Sequence, residues 1–263
     1  VVFICSNFPF RIGGGFAMPK FIVTPENVKE GYVKIKGNDA FHITRVLRMK
    51  KGDKIIVSDG RADYQVLLCD LNCNSVMGKI ENIKELMETQ LDITLLQSIP
   101  KSQKMDWIVQ KATELGIKKI VPVISERTIV KLDTQKTEKK CRRWQRIAKE
   151  AAKQSGRSTI PLIEGVLSFE EALRKGRDAD LAIIPWEEEQ AVGLKDLIKG
   201  KTYKKIIFCI GPEGGFSRQE VEQAKVNNFK PVTFGPRILR TETAGIFLLA
   251  GLMYEIGDMG GSL

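Results

Sequence analysis

Two glycine-rich turns lie close together late in the sequence, CIGPEGGFSRQE at 209–220 and FGPRILRTETAG at 234–245. Each follows a short apolar run. Glycine is the residue that accepts a positive φ or lets another group come against the backbone. The order Gly211-Pro212-Glu213-Gly214-Gly215 matches neither a P-loop, which needs a lysine for the phosphates, nor the GxGxxG dinucleotide turn. Glu213 would also repel a phosphate by direct Coulomb interaction. The chemistry that remains is close main-chain binding of a ligand that is neutral or cationic at that end, such as a base or an amino acid. A plain structural reading stands beside it: a strand-to-helix turn in which Ser217 caps the helix and Glu220 completes a capping box. The second turn delivers Arg240, Thr241 and Glu242 to an apolar neighbourhood, where polar groups need partners.

The elements that position these turns can be read from hydrophobic pattern. After about Thr89 compact apolar runs (LDITLLQ, KKIVPVI, DLAIIP, KKIIFCIG, PVTF) alternate with amphipathic stretches, which predicts an α/β domain whose parallel sheet is covered by helices on both faces. Its first helix is expected over about Lys104–Leu115, with Ser102 as cap and Gly116 just past the end. Asp106, Gln110 and Glu114 share one side of it, as a surface ladder or facing a substrate. A basic helix is expected over about Lys136–Ser155, with Arg143, Glu150, Gln154 and Arg157 in one mixed polar row that suits either recognition or capping of a sheet edge. The last helix, about Glu242–Ile256, is apolar nearly all round and too short for a membrane span, so it is expected to be buried in the domain and against a partner subunit.

From Met18 to about Glu88 the signals are short β runs, with Asp59-Gly60 as a hairpin cue, and they predict a small β-barrel interrupted by one helical turn at NDAFHITRVLRMKKGD. There His42, Arg45 and Arg48 form either a solvated face with a core histidine or a phosphate contact. Residues 1–17 make a poor signal peptide and are taken as an extension without a role in the fold, and 258–263 as a tail.

Composition narrows the function classes. Lysine and arginine number 42 against 32 acids, a net charge of +10, and ten basic against three acidic side chains fall between Lys131 and Arg157, which makes a polyanion a plausible partner. Five cysteines without a CxxC pair indicate neither a disulfide framework nor a zinc site and fit a reducing cytoplasm. A single histidine, His42, argues against metal chemistry.

IGPEGGF with FGPRILRTETA, MDWIVQKATELGIKKIVPVISER, RRWQRIAKEAAKQSGR and HITRVLRMKKGD together resemble the RsmE family of SPOUT methyltransferases, the small-subunit ribosomal RNA uracil-N3 methyltransferases, over about Met18–Gly257. The resemblance implies a PUA-like β-barrel at 18–88, a trefoil-knotted SPOUT α/β domain at 89–257, S-adenosylmethionine as cofactor, a homodimer, and 16S ribosomal RNA or the small subunit as partner. The implied cofactor residues are Ile184, Pro185, Glu187, Gly211, Pro212, Glu213, Gly214, Gly215, Ile238, Leu239, Arg240, Thr241, Thr243 and Ala244. The expected RNA contacts are Arg45, Arg48, Lys101, Gln110, Glu114, Arg143, Glu150, Gln154 and Arg157. A loop bearing Glu213 and no lysine suits a cationic sulfonium.

For methyl transfer to N3, Glu242 could accept the N3 proton and Arg240 could stabilise the developing imide anion, whereas a glutamate in a first helical turn also serves the helix dipole. Two other functions share these motifs: methylation of a ribose 2′-OH, and non-catalytic RNA binding or assembly.

Overall fold

The computed structural model describes residues 18–85, 91–129 and 134–260. The expected extension at 1–17, the end of the tail and the start of the basic run at Lys131 lie outside the described residues. The described residues fall into two units, the first containing 18–85 together with Ala152–Ile160, the second containing 91–129, 134–151 and 161–260.

The first unit is a six-stranded sheet of β1 (Lys20–Ile22), β2 (Val28–Lys29), β3 (Tyr32–Lys36), β4 (Lys54–Ser58), β5 (Ala62–Leu71) and β6 (Ser75–Glu85), in the order β1-β4-β5-β6-β3-β2. Among the described strands of this sheet only β1 and β4 pair in parallel. Strict alternation in YVKIK puts Val33 and Ile35 inside, where they join Phe21, Ile43, Ile55, Val57, Val66, Leu68 and Val76 in one core. The hairpin expected at Asp59-Gly60 forms. Gly60 takes φ +82°, and Asp59 Oδ1 accepts from the amides of Arg61 (2.8 Å) and Ala62 (3.0 Å) while its Oδ2 accepts from the Tyr64 hydroxyl. Between β3 and β4 lies α1 (Asn38–Phe41), continued by a wider π-type turn over His42–Val46.

Residues 152–160 enter this unit through polar contacts. Lys20 Nζ donates to Asp63 Oδ2 (2.7 Å) and Ser158 Oγ (2.8 Å), and the Ser158 hydroxyl donates to Asp63 Oδ1 (3.0 Å). Lys153 pairs with Asp39 at 2.5 Å.

The second unit carries a parallel sheet of seven strands: β7 (Asp92–Ser98), β8 (Lys119–Ile124), β9 (Leu162–Ile163), β10 (Leu167–Ser168), β11 (Leu181–Pro185), β12 (Lys205–Ile210) and β13 (Phe229–Val232). The order is β10-β8-β7-β12-β11-β13, with β9 also beside β8. β7, β11 and β12 are buried almost throughout, as strands covered on both faces must be. The helices are α2 (Lys104–Glu114), α3 (Thr134–Gln154), α4 (Phe169–Arg174), α5 (Leu194–Ile198), α6 (Arg218–Val226) and α7 (Thr241–Glu255). α7 packs on α2, α5 and β12 through Leu248, Leu249, Leu252 and Met253. The expected Ser102 cap does not exist: Gln103 precedes α2 without a side-chain cap, and Ser102 sits at φ +58°. Gly116 does end the helix region, at φ +94°.

Phe208, on central strand β12, is fully buried. Phe208→Ala is expected to lower stability by about 3–5 kcal/mol through lost burial and the cavity left behind, measured by urea unfolding.

Candidate functional site

β7, β12, β11 and β13 are neighbours, and the order departs from chain order at β12, which lies between β7 and β11. In open parallel sheets ligands bind outside the carboxyl ends of strands at such a switch. The segments leaving those ends are 99–103, 211–217, 186–193 and 233–240, so both glycine turns found in the sequence belong to one rim.

In the first turn the glycines have distinct reasons. A Cβ on Gly211 would stand 3.2 Å from the Gly215 carbonyl carbon, and Gly215 itself has φ +66°. The amide of Gly215 closes the turn on Pro212 O at 3.0 Å. Arg127 Nη1 donates to Gly214 O at 2.6 Å, and its Cδ would be 3.3 Å from a Cβ on Gly214. The capping box read from the sequence is present: Ser217 Oγ accepts from the Glu220 amide and the Ser217 amide donates to Glu220 Oε2. Glu220 Oε1 also accepts from the Glu126 amide, and the Ser217 hydroxyl donates to Glu126 Oε2. The turn is therefore a well-capped helix entry and a strapped loop together.

The second turn bends at Gly235 (φ +86°), whose amide donates to Thr233 Oγ1 at 3.2 Å. The Phe234 ring meets Phe247 edge-on at 5.0 Å. Ile238 is 86% exposed, Leu239 half-buried, and Arg240 is exposed at the N-cap of α7, where its carbonyl accepts from the Ala244 amide.

Two joints tie these turns. The Thr241 hydroxyl donates to Gly211 O at 2.6 Å while its oxygen accepts from Gln97 Nε2 at 3.0 Å; Gln97 also donates to Ser98 O. Gln97 is fully buried, and its Oε1 has no hydrogen-bond partner among the described residues. The second joint is ionic. Lys104 Nζ lies 3.1 Å from Glu213 Oε1 and 3.3 Å from Glu242 Oε2, and the Lys101 amide also donates to Glu213 Oε1. Burial by itself would raise the Glu213 pKa; its own backbone amide, Lys104 and the Lys101 amide outweigh that and hold it below the usual carboxylate value. The bond to Glu213, with Glu242 adding to it against burial, raises Lys104 above an ordinary lysine.

This corrects one reading of the sequence. Glu213 does not stand as an unpaired negative charge in a loop without lysine, because Lys104 arrives from α2, more than a hundred residues earlier. Sequence reasoning missed Lys104, Arg127 and Gln97. Only Gln97 left a signal: an amide inside the apolar strand DITLLQS must find a partner.

The other expected cofactor positions are mixed. Ile184 is fully buried in the core of the second unit, so only its main chain is left to meet a ligand. Pro185 is half-buried opposite Val232, Glu187 and Thr243 are exposed, and Ala244 is half-buried.

Of the expected RNA residues in the second unit, Lys101, Gln110, Arg143 and Glu150 are exposed, while Glu114 is half-buried and paired with Lys111. Arg143 pairs with Asp106, which also accepts from Trp144 Nε1, so the Asp106 end of the ladder on α2 holds α3. Lys139, Arg142, Arg143 and Arg146 line a basic surface cavity of about 270 Å³. In the first unit Arg45, Arg48 and Gln154 are exposed; Arg45 Nε reaches Cys73 Sγ, and Arg48 holds φ +52°. His42 is half-buried and packs edge-on against Phe21. Arg157 is only 7% exposed and donates to Thr159 Oγ1.

A family model described as an RNA methyltransferase domain matches residues 87–253, and one described as an RNA methyltransferase PUA domain matches 35–63. The ribosomal RNA small subunit methyltransferase E of Bacillus subtilis is 34% identical over 248 residues, 89% of this chain and 94% of that protein. The chain belongs to the ribosomal RNA small subunit methyltransferase E family. Members and neighbours of known structure share the fold. One is a Neisseria gonorrhoeae ribosomal RNA small subunit methyltransferase E bound to S-adenosyl methionine (36% identity, TM-score 0.79, 92% of this chain and 99% of that one). Another is a putative methyltransferase from Legionella pneumophila in complex with the bound cofactor SAM (29% identity, TM-score 0.80, 92% and 99%). The fold class expected for this family, a SPOUT-type parallel α/β sheet after a PUA-like domain, is the one observed.

Thr241→Val removes the hydroxyl that joins the turns and leaves Gly211 O without its donor. It is expected to cost about 1–3 kcal/mol, read from urea unfolding.

Proposed function

We propose that this chain is an S-adenosylmethionine-dependent methyltransferase that places a methyl group on N3 of a uridine in small-subunit ribosomal RNA. The observation that carries this is family membership over 89% of the chain with both glycine turns present and tied together at one sheet rim.

The rim suits the cofactor. Gly211 admits close approach where any Cβ would meet Gly215. Exposed Ile238 and half-buried Leu239 and Pro185 offer apolar surface for a purine. The residues assigned to hold it are Ile184 through its main chain, Pro185, Glu187, the turn Gly211-Pro212-Glu213-Gly214-Gly215, and Ile238, Leu239, Arg240, Thr241, Thr243 and Ala244. When bound, S-adenosylmethionine supplies an electrophilic methyl group on a sulfonium.

The chain's own task is positioning and proton handling. N3 lies on the Watson–Crick edge, so the uridine must be unpaired or turned out of its stack. Holding the two reactants in line supplies up to about 7–11 kcal/mol of the barrier reduction. Glu242 is assigned as acceptor of the N3 proton, directly or through water, and exposed Arg240 as the cation facing the imide anion.

Arg45, Arg48, Lys101, Gln110, Glu114, Arg143, Glu150 and Gln154 are assigned to the RNA, and Arg157, nearly buried, to ordering the segment 152–160. The domain limits 18–88 and 89–257 and a trefoil knot belong to the same proposal. So does a homodimer. Phe247 (46% exposed) and Tyr254 (68%) lie seven residues apart on one side of α7, and with Ile238 they leave apolar surface for a second copy. No helix among the described residues is long and apolar enough to cross a membrane, and a cytoplasmic enzyme acting on ribosomes is the setting proposed.

The test is to incubate small-subunit ribosomal RNA, free and as assembled subunits, with the protein and isotopically labelled S-adenosylmethionine, then digest and analyse by mass spectrometry. The label is expected in 3-methyluridine. Label in a ribose-methylated nucleoside, or none in either substrate, contradicts the proposal.

A further inference from the structure

The second joint between the turns rests on one side chain. Glu213 belongs to the turn after β12 and Glu242 to the first turn of α7, and both carboxylates are held on the single ammonium of Lys104. Glu242 Oε2 is buried, accepts no aligned hydrogen bond among the described residues, and lies within ion-pair distance of Lys104. A buried carboxylate oxygen left without a counter-charge is strongly unfavourable. Two carboxylates gathered at one point also repel each other unless a cation stands between them. Removing the ammonium therefore drives apart the two segments that the Thr241 hydroxyl holds together a short distance away.

We infer that Lys104 is a positioning residue for the cofactor site: through Glu213 and Glu242 it fixes the separation of the Gly211–Gly215 turn and the Arg240–Ala244 segment. The inference rests on the proposed function, because it names what sets the geometry of that same site. Lys104 occupies the first position of α2, so its backbone is fixed by a helix that packs on α7. The strap consequently has a rigid anchor on one side and a turn on the other. An arginine at this position keeps the positive charge and can reach two carboxylates; methionine keeps the bulk and loses the charge.

The experiment is calorimetric titration of S-adenosylmethionine into the full chain, the Lys104→Met, Lys104→Arg and Glu213→Gln variants, and the double variant Lys104→Met/Glu213→Gln, with circular dichroism confirming that each is folded. Lys104→Met is expected to weaken cofactor binding by about tenfold or more, as loss of one partner from a partly buried ion network does. Lys104→Arg is expected to stay within about threefold of the parent, and the double variant to bind no more weakly than Lys104→Met alone, because both changes cut the same strap. Parent-like binding by Lys104→Met overturns the inference and leaves the proposed function standing. So do multiplying losses in the double variant, or a Lys104→Arg variant as weak as Lys104→Met. A parent chain that binds no S-adenosylmethionine overturns both. If Lys104→Met does not fold, Lys104→Gln, which keeps a polar side chain and loses the charge, decides: weaker binding than the parent supports the strap and equal binding overturns it.

Discussion

The hydroxyl of Thr241 is the constraint on which the site depends. It donates to the Gly211 carbonyl and accepts from Gln97 on β7, so the two turns are joined to each other and to a strand more than a hundred residues earlier. Each turn alone is an ordinary strand-to-helix connection. Joined, they form a rim on which side chains are excluded at Gly211 by crowding and disfavoured at Gly215 and Gly235 by positive φ. The parallel sheet supplies the rest. It sets β12, β11 and β13 side by side, so their carboxyl ends, and the segments that leave them, come out together.

Electrostatics at this rim follow from the same arrangement. Gathering two turns that each carry a carboxylate brings Glu213 and Glu242 together, and Lys104 makes that tolerable. The local charge is thus less negative than Glu213 suggests when the turn is considered by itself. Preference for a sulfonium over a phosphate then rests less on a bare carboxylate than on the absence of the lysine and glycine arrangement that phosphate loops use. Arg127, which binds the Gly214 carbonyl, belongs to the segment that follows β8, so the first glycine turn and that segment share a hydrogen bond.

Much of the fold was legible because it is written in local pattern. The buried runs LDITLLQ, DLAIIP and KKIIFCIG read as covered parallel strands, Asp59-Gly60 as a hairpin turn, and Ser217 with Glu220 as a capping box. All three readings depend on neighbours within a few residues. What escaped depends on contacts distant in sequence. Lys104 looked like any helix-starting lysine, and only the fold brings it to Glu213 and Glu242. Ser102 looked like a cap, but its positive φ turns the chain before α2 begins, and no side-chain cap forms. Nothing in GRSTI announced that residues 152–160 would return to the first unit, since the Lys20, Asp63 and Ser158 network pairs groups from both ends of that unit's sequence. Ile184 was expected at the cofactor from the family resemblance, yet its side chain is buried in the core of the second unit.

The central claim is that the two tied turns receive S-adenosylmethionine. The most direct measurement is a crystal structure of this chain grown with that molecule. The account predicts density for it against the main chain of Gly211–Gly215 and of Ile238–Ala244, with the Thr241 bond to Gly211 intact. Density in a pocket away from these turns, or a bound cofactor with the turns separated, would contradict it.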